Sequence, residues 1–594
     1  MEWQQKLHAM VDYQKDDILF AGTSVVDGSG KTDRYIADVL VRDGYIKSIN
    51  QERGATDLAS VQEKGVGIVD CEDGKWTLSP GFIDMHAHSD LSLLHTPEHR
   101  AKITQGVTTE VIGQDGISYS PVTDETLARI RKQIAGWNGN PRDPPDFFDR
   151  WRSVGEYLDV LDASRIATNA AYLVPQGNLR MLVKGWDHSP ATQAEIDRMK
   201  EHLRAGFRQG AVGMSSGLTY VPGMFADDAE LAQLCTVVRE HGGYFAPHHR
   251  SYGKGAMRAY AEMIDLARST GVRLHLTHAT LNFAENAGRA DEFLAMLDAA
   301  LADGLDITLD TYPYLPGSTT LAALLPSWVS SADEAARLAI LDDPAQRATV
   351  RRQALVDGTD GCHGCTLDWD IIEISGVQRA ELEAELVGKT VGEIARARGR
   401  DPFDTFVDLL RADDFGTTIM QHAGHEGNVR RIMRHPRHTG GSDGILTSNK
   451  PHPRGWGTFP RYIGHYHRDL SRGRARRIYG LQKSSGPEFD DVEPETIFAG
   501  GLEDVIAHLT GRPAAILGLR DRGLVAEGYR ADLVLFDAET IRDAATFADP
   551  QQPATGIRAV LVNGRFAVDE GAATGERAGR TIRLREDGGK FVVG

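Results

Sequence analysis

From about residue 79 to about residue 515 the chain alternates short apolar runs with longer amphipathic stretches. The runs finish at "GFIDMHAH", "VTTEVIGQDG", "NAAYLVPQG", "AVGMSSG", "GYFAPHH", "VRLHLTH", "DITLDTYPY", "TTIMQHAGHE" and "TGGSDG", and stretches such as "ATQAEIDRMKEHLRAGFRQG" and "MRAYAEMIDLARSTG" carry apolar residues at helical spacing. Strand–helix alternation over several hundred residues reads as α/β with a parallel sheet, and a closed (β/α)8 barrel is the commonest solution at this size. Nine runs compete for the eight places of such a barrel, so one is misread or belongs to an insertion. The stretch from about 327 to about 400 is expected to be that insertion: α-rich, acidic and without strand rhythm.

The two ends share a different texture. Residues 1–78 contain "DILFAGTSVVDGSG" and "ADVLVRDGYIKSI", and residues 516–594 contain "GYRADLVLFD" and "RAVLVNGRFAVDEG". Asp43–Gly44 and Asn563–Gly564, each between alternating apolar residues, read as hairpin turns. Neither end has enough strands to stand alone, so one small β-sandwich built from both termini is expected beside the barrel.

The strand ends carry the chemistry. His86 and His88 lie two residues apart, a spacing that puts both imidazoles on one face of a strand. His248, with His249 beside it, His278 and Asp443 close three further runs, at the carboxyl ends where barrel enzymes assemble their sites. Imidazole plus carboxylate is the donor set for zinc or a similar divalent ion. A core histidine in each strand is the plainer reading, and four independent strand ends speak against it.

The bulk numbers exclude other classes. With 84 acidic against 66 basic residues and a net charge of −18, the chain is a poor partner for nucleic acid or an anionic membrane. No apolar stretch approaches the length of a membrane span, and the polar segment from Met1 to Asp17 carries no secretory signal pattern. Four cysteines are too few for a disulfide scaffold, so a cytoplasmic protein is expected. A homo-oligomer is compatible with a barrel of this type, although no stretch marks an interface.

Longer motifs narrow the family. "PGFIDMHAHSD" resembles the first-strand signature of the amidohydrolase superfamily. "GVTTEVIGQDGISYSPV", "GAVGMSSGLTYVPG", "TYPYLPGSTTLAALLPSW", "NVRRIMRHPRH" and "PHPRGWGTFPRYIG" make the chain similar to the N-acyl-D-amino-acid deacylase (D-aminoacylase) branch along almost its whole length. The resemblance implies a metallo-dependent hydrolase barrel with one or two zinc ions, acting on the amide of small N-acyl-D-amino acids. It implies that His86 and His88 serve one metal position and His248 and His278 the other, with Asp443 as metal neighbour and catalytic base. It also places Tyr220, Tyr312, Ser318 and Arg454 on the substrate.

Three positions depart from that pattern. Asp115, in "GQDG", stands where the branch has a metal-ligating cysteine, and a ligand role is expected for its carboxylate as well. Thr280 replaces a lysine that helps hold the substrate's carboxylate, which His249 could partly offset. Gln176 stands where the branch tends to have histidine. Two other readings stay open: hydrolysis of a cyclic or peptide-like amide by the same site, and an inactive binding or scaffold protein, which would be expected to have lost ligands. "CHGC" at Cys362 and Cys365 reads as a loop turn, "QHAGHE" with His422, His425 and Glu426 as a candidate site lining, and "RDLSRGRARR" as a solvated face.

Overall fold

The computed structural model describes residues 16–52, 56–139, 143–476, 489–587 and 590–594. The stretch 1–15, read above as lacking a signal, lies outside them.

Eight of the nine runs form the barrel: β1 (Phe82–Asp84), β2 (Val107–Ile112), β3 (Asn169–Pro175), β4 (Gly213–Gly217), β5 (Tyr244–His248), β6 (Arg273–Leu276), β7 (Ile307–Thr311) and β8 (His438–Gly440). Each pairs in parallel with the next in chain order. The seam between β8 and β1 closes just past the strands, where Met85 N donates to Gly440 O (3.2 Å), Asp443 N donates to His86 O (2.8 Å), and Ala87 bridges Gly444. Closure therefore runs through residues interleaved with the expected ligands.

The amphipathic stretches form the outer helices. In Gln193–Arg208 the Thr192 side chain accepts from Glu195 N while Glu195 reaches back to Thr192 N, a capping box that fixes the start. Ile196, Met199, Leu203 and Phe207 then fall on one stripe and bury it against the barrel. Ala256–Thr270 ends at Gly271, whose φ of 68° supplies the left-handed stop.

The ninth run, Thr418–Gln421, pairs antiparallel with Gly317–Thr320 on one side and Ile372–Gly376 on the other. This three-stranded sheet sits in the excursion between β7 and β8. Ile372–Gly376 falls where no strand was expected; Ile372 and Ile374 sit in a separate small core with Leu386, Phe406 and Ile419. The strand is five residues long and flanked by acidic turns, which hides its alternation.

Both termini enter one nine-stranded sheet, joined where Thr77–Pro80 pairs antiparallel with Leu533–Phe536. Asp43 and Gly44 (φ 52° and 82°) and Asn563 and Gly564 (φ 49° and 77°) make the two expected tight turns. The tips meet: a Cβ on Gly564 would lie 2.5 Å from the Cα of Gly44, so only glycine fits there. No helix among the described residues is long and apolar enough to cross a membrane.

Candidate metal centre

Each expected ligand sits at or just beyond a strand's carboxyl end. His86 and His88 follow β1, Asp115 follows β2, His248 ends β5, His278 follows β6 and Asp443 follows β8. Asp115 is held in a left-handed conformation (φ 55°) between Gly113 and Gly116, and a Cβ on Gly217 of β4 would strike its carbonyl. Glycines thus let this turn press onto β4 and aim the carboxylate inward.

There it lies among four imidazoles. Asp115 Oδ1 is 3.5 Å from His86 Nε2, and Oδ2 is 3.5 Å from His88 Nε2, 3.4 Å from His248 Nδ1 and 3.9 Å from His278 Nε2. Asp443 faces the same group, at 3.1 Å from His88 Nε2, 3.7 Å from His86 Nε2 and 3.6 Å from His278 Nε2. Donor atoms of His86, Asp115, His278 and Asp443 all fall within 4.8 Å of one another.

The electrostatics favour a cation here. Burial drives His86 down to about 4, and it lowers His248 as well. Burial also opposes the proton on His88, yet Asp115 and Asp443 outweigh it and raise that imidazole to about 10. The same imidazoles override burial at Asp115 and hold its carboxyl well below the usual range. A buried position that attracts a proton this strongly is one that a divalent ion would take instead. His86 Nε2, Asp115 Oδ1 and His248 Nδ1 are buried without hydrogen-bond partners, an arrangement that costs free energy unless a bound group satisfies them. The residues fit a divalent metal.

Around the cluster, Thr219 Oγ1 and His248 Nε2 share a hydrogen bond of 2.7 Å, leaving Nδ1 to face Asp115. Arg454 is fully buried, with Nη1 2.9 Å from Asp443 Oδ2 and its guanidinium 4.4 Å over the Tyr312 ring. Burial pushes the Tyr312 hydroxyl up to about 12, so it stays a donor. Tyr220 lies beside His248 with ring centroids 4.8 Å apart.

Other expected site residues do not join the cluster. His249 points to the opposite face of β5 from His248 and packs between the rings of Tyr252 and Tyr260 (4.0 and 4.2 Å). Ser318 donates to Ile419 O (3.1 Å) within the rim sheet. Gln176 donates to Glu230 (2.8 Å), the partner of the buried Arg180. His422 pairs with Glu373 at 2.9 Å, His425 caps the helix Glu426–Met433, and Glu426 pairs with Arg430. Cys362 and Cys365 are free, buried in the insertion core. The turn between them does approach the site, since His363 lies 6.4 Å from His248, ring to ring. The Arg-rich segment is only partly a solvated face: Arg468 and Arg476 are buried on Asp469 and Asp543.

The sequence reading missed the groups that hold this cluster. Asp84 Oδ1 accepts from the backbone N–H of both His86 (3.2 Å) and Ser442 (2.8 Å), and Oδ2 accepts from the Ser442 hydroxyl (2.6 Å) and Lys102 Nζ (2.6 Å). One buried carboxylate thereby ties the His86 segment to the Asp443 loop. The signal was available for Asp84, which continues the i, i+2 spacing of His86 and His88. It was not available for Lys102, which reads as an ordinary surface lysine and is fully buried. Trp137, stacked on His88 at 5.3 Å, was also missed.

Four imidazoles and two carboxylates on the carboxyl rim of a closed parallel barrel define a metallohydrolase of the barrel type. The amidohydrolase family model matches residues 68–568, and the chain belongs to that family. It is 32% identical over 576 residues to the D-aminoacylase of Alcaligenes xylosoxydans xylosoxydans, covering 96% of this chain and 98% of that one. To the N-acyl-D-glutamate deacylase of the same organism it is 31% identical over 570 residues, covering 96% and 97%. The crystal structure of N-acyl-D-glutamate deacylase from Bordetella bronchiseptica, complexed with zinc and a phosphonate mimic of the tetrahedral intermediate, matches with a TM-score of 0.74. Identity there is 30%, with 96% of this chain and 100% of that chain covered.

Proposed function

We propose that this chain hydrolyses the amide bond of N-acyl-D-amino acids, releasing a carboxylate and a free D-amino acid, with zinc as the resident metal. The observation that carries the reading is the convergence of His86, His88, His248, His278, Asp115 and Asp443 on one buried point beside Arg454. Its relatives act on, or are named for, this class of substrate.

His86, His88, Asp115, His248, His278 and Asp443 would hold one or two divalent ions, the carboxylate of Asp115 reaching histidines of both pairs. A bound divalent ion polarises the amide carbonyl and makes water acidic enough to be a nucleophile near neutral pH. Asp443, held ionised by its neighbours, accepts a proton from the attacking water and returns it to the leaving amine nitrogen. Arg454 and the Tyr312 hydroxyl orient the substrate's carboxylate, and the Tyr220 hydroxyl donates toward the carbonyl oxygen. Without the family's lysine at Thr280, the hold on that carboxylate falls mainly to Arg454. The four free cysteines suit a reducing compartment such as the cytoplasm.

The test is hydrolysis of matched N-acyl-D- and N-acyl-L-amino acid panels by the purified chain. Release of free amino acid from the D series alone is expected. Equal rates on both series, or hydrolysis confined to cyclic amides, would overturn the reading.

A further inference from the structure

A cavity adjoins the ligand cluster and shares Trp137, Thr219 and Tyr220 with its surroundings. On the side of His88 and His248, Trp137 stacks on His88, and Tyr220 packs edge-on against Trp137 with ring centroids 4.8 Å apart. Behind these rings opens a cavity of about 570 Å³. Its walls include Ile134, Trp186, Val221 and Met224, and the excursion between β7 and β8 adds Leu325 and Phe415. A volume within about 300–1,000 Å³ suits a sizeable apolar ligand, far more than an acetyl group needs. Charged groups stand at the outer rim: Arg129 lies over the Trp186 ring at 4.0 Å, and Lys132 pairs with Glu334 at 3.1 Å.

The other side of the ligands belongs to Arg454 and Tyr312, which sit against Asp443 and His278. An amide lying across the ligands with its carboxylate toward Arg454 sends its acyl group toward Tyr220 and into the cavity. We propose that this cavity is an acyl pocket, and that the preferred substrates are D-amino acids carrying a long or bulky apolar acyl group, such as a medium-chain fatty or arylalkyl chain. The inference rests on the deacylase reading. In the reaction, water's oxygen bonds to the acyl carbon, the C–N bond breaks, and a proton goes to the amine, so that an amphiphilic carboxylate leaves with a D-amino acid.

The test holds the amino acid fixed as D-leucine and varies the acyl group through acetyl, butanoyl, octanoyl, decanoyl and phenylacetyl. A second series holds acetyl fixed and varies D-alanine, D-leucine and D-tryptophan. The value of kcat/KM is expected to climb by up to about fourfold per methylene over the first several carbons, the effect of burying one CH2, and by at least about 30-fold from acetyl to octanoyl. Ala128→Trp, on the exposed helix face at the cavity's outer wall, is expected to remove most of the octanoyl gain and leave the acetyl substrate unchanged. A rate flat in acyl length and rising with amino-acid side chain would overturn the acyl assignment and give the cavity to the side chain. No hydrolysis in either series would overturn the deacylase reading itself, and the pocket with it.

Discussion

Arg454 Nη1 lies 2.9 Å from Asp443 Oδ2, while Oδ1 of the same carboxylate faces His88 Nε2 at 3.1 Å and His86 Nε2 at 3.7 Å. One carboxylate thus joins the imidazole cluster to the buried guanidinium proposed to hold the substrate. Burial alone would raise its proton affinity, but Arg454, His278 and His88 hold it well below the ordinary carboxylate range.

Asp443→Asn keeps the shape and removes the proposed base. Turnover is expected to fall by about 10²–10⁴-fold, the usual worth of a positioned acid–base group, with the fold unchanged by circular dichroism. Retention of full kcat would remove Asp443 from its role.

Arg454→Met withdraws the largest influence lowering Asp443. The carboxyl then protonates more readily, so the acidic limb of the kcat/KM profile moves to higher pH, alongside a raised KM for carboxylate-bearing substrates. An unmoved limb would exclude the effect on Asp443, and an equal KM change for uncharged amides would exclude the hold on the carboxylate.

Asp115→Ala removes the carboxylate that lies within 3.9 Å of all four imidazoles. Metal per chain after dialysis is expected to drop below that of the unsubstituted protein, with Asp115→Asn intermediate. Unchanged stoichiometry in both variants would make Asp115 a turn residue only.

The site was legible where strand periodicity alone decides direction. His86 and His88 share a face because they are two apart, β5 ends at His248, and His278 and Asp443 lie two and three residues past the ends of β6 and β8. Directions set by packing were not legible. His249 is the exception, since the alternation that aims His248 inward itself turns His249 away, against Tyr252 and Tyr260. Thr418–Gln421 has the apolar content of a barrel strand, yet pairs antiparallel with segments about 100 and 46 residues earlier, which no local pattern reveals. Lys102 gains its place at the site through Asp84 and Ser442, the latter 340 residues away.

Lys102→Met leaves Asp84 buried without its cation. Removing one partner of a buried pair costs about 3–5 kcal/mol, so a clear drop in the urea midpoint is expected. A change within error would mean that Ser442 and the two backbone N–H groups suffice for Asp84.

Glu110 tests acid stability. It is fully buried and paired with His99 at 2.6 Å; burial would raise its carboxyl, but His99, Lys102 and Thr168 outweigh burial and lower it to about 2. Its folded value lies below the unfolded one, so its contribution is complete above about pH 4.3 and fades as pH falls toward the folded value. Glu110→Gln is expected to lose stability at pH 6 and to show a shallower fall in urea midpoint between pH 5 and pH 3. An identical pH slope would exclude Glu110 as a source of the acid sensitivity.

The most direct measurement is metal content paired with activity on an N-acyl-D-amino acid, before chelation, after it, and after zinc is restored. One or two divalent ions per chain, loss of activity on stripping and its return with zinc are predicted. A metal-free preparation with full activity, all six donors intact, would contradict the account.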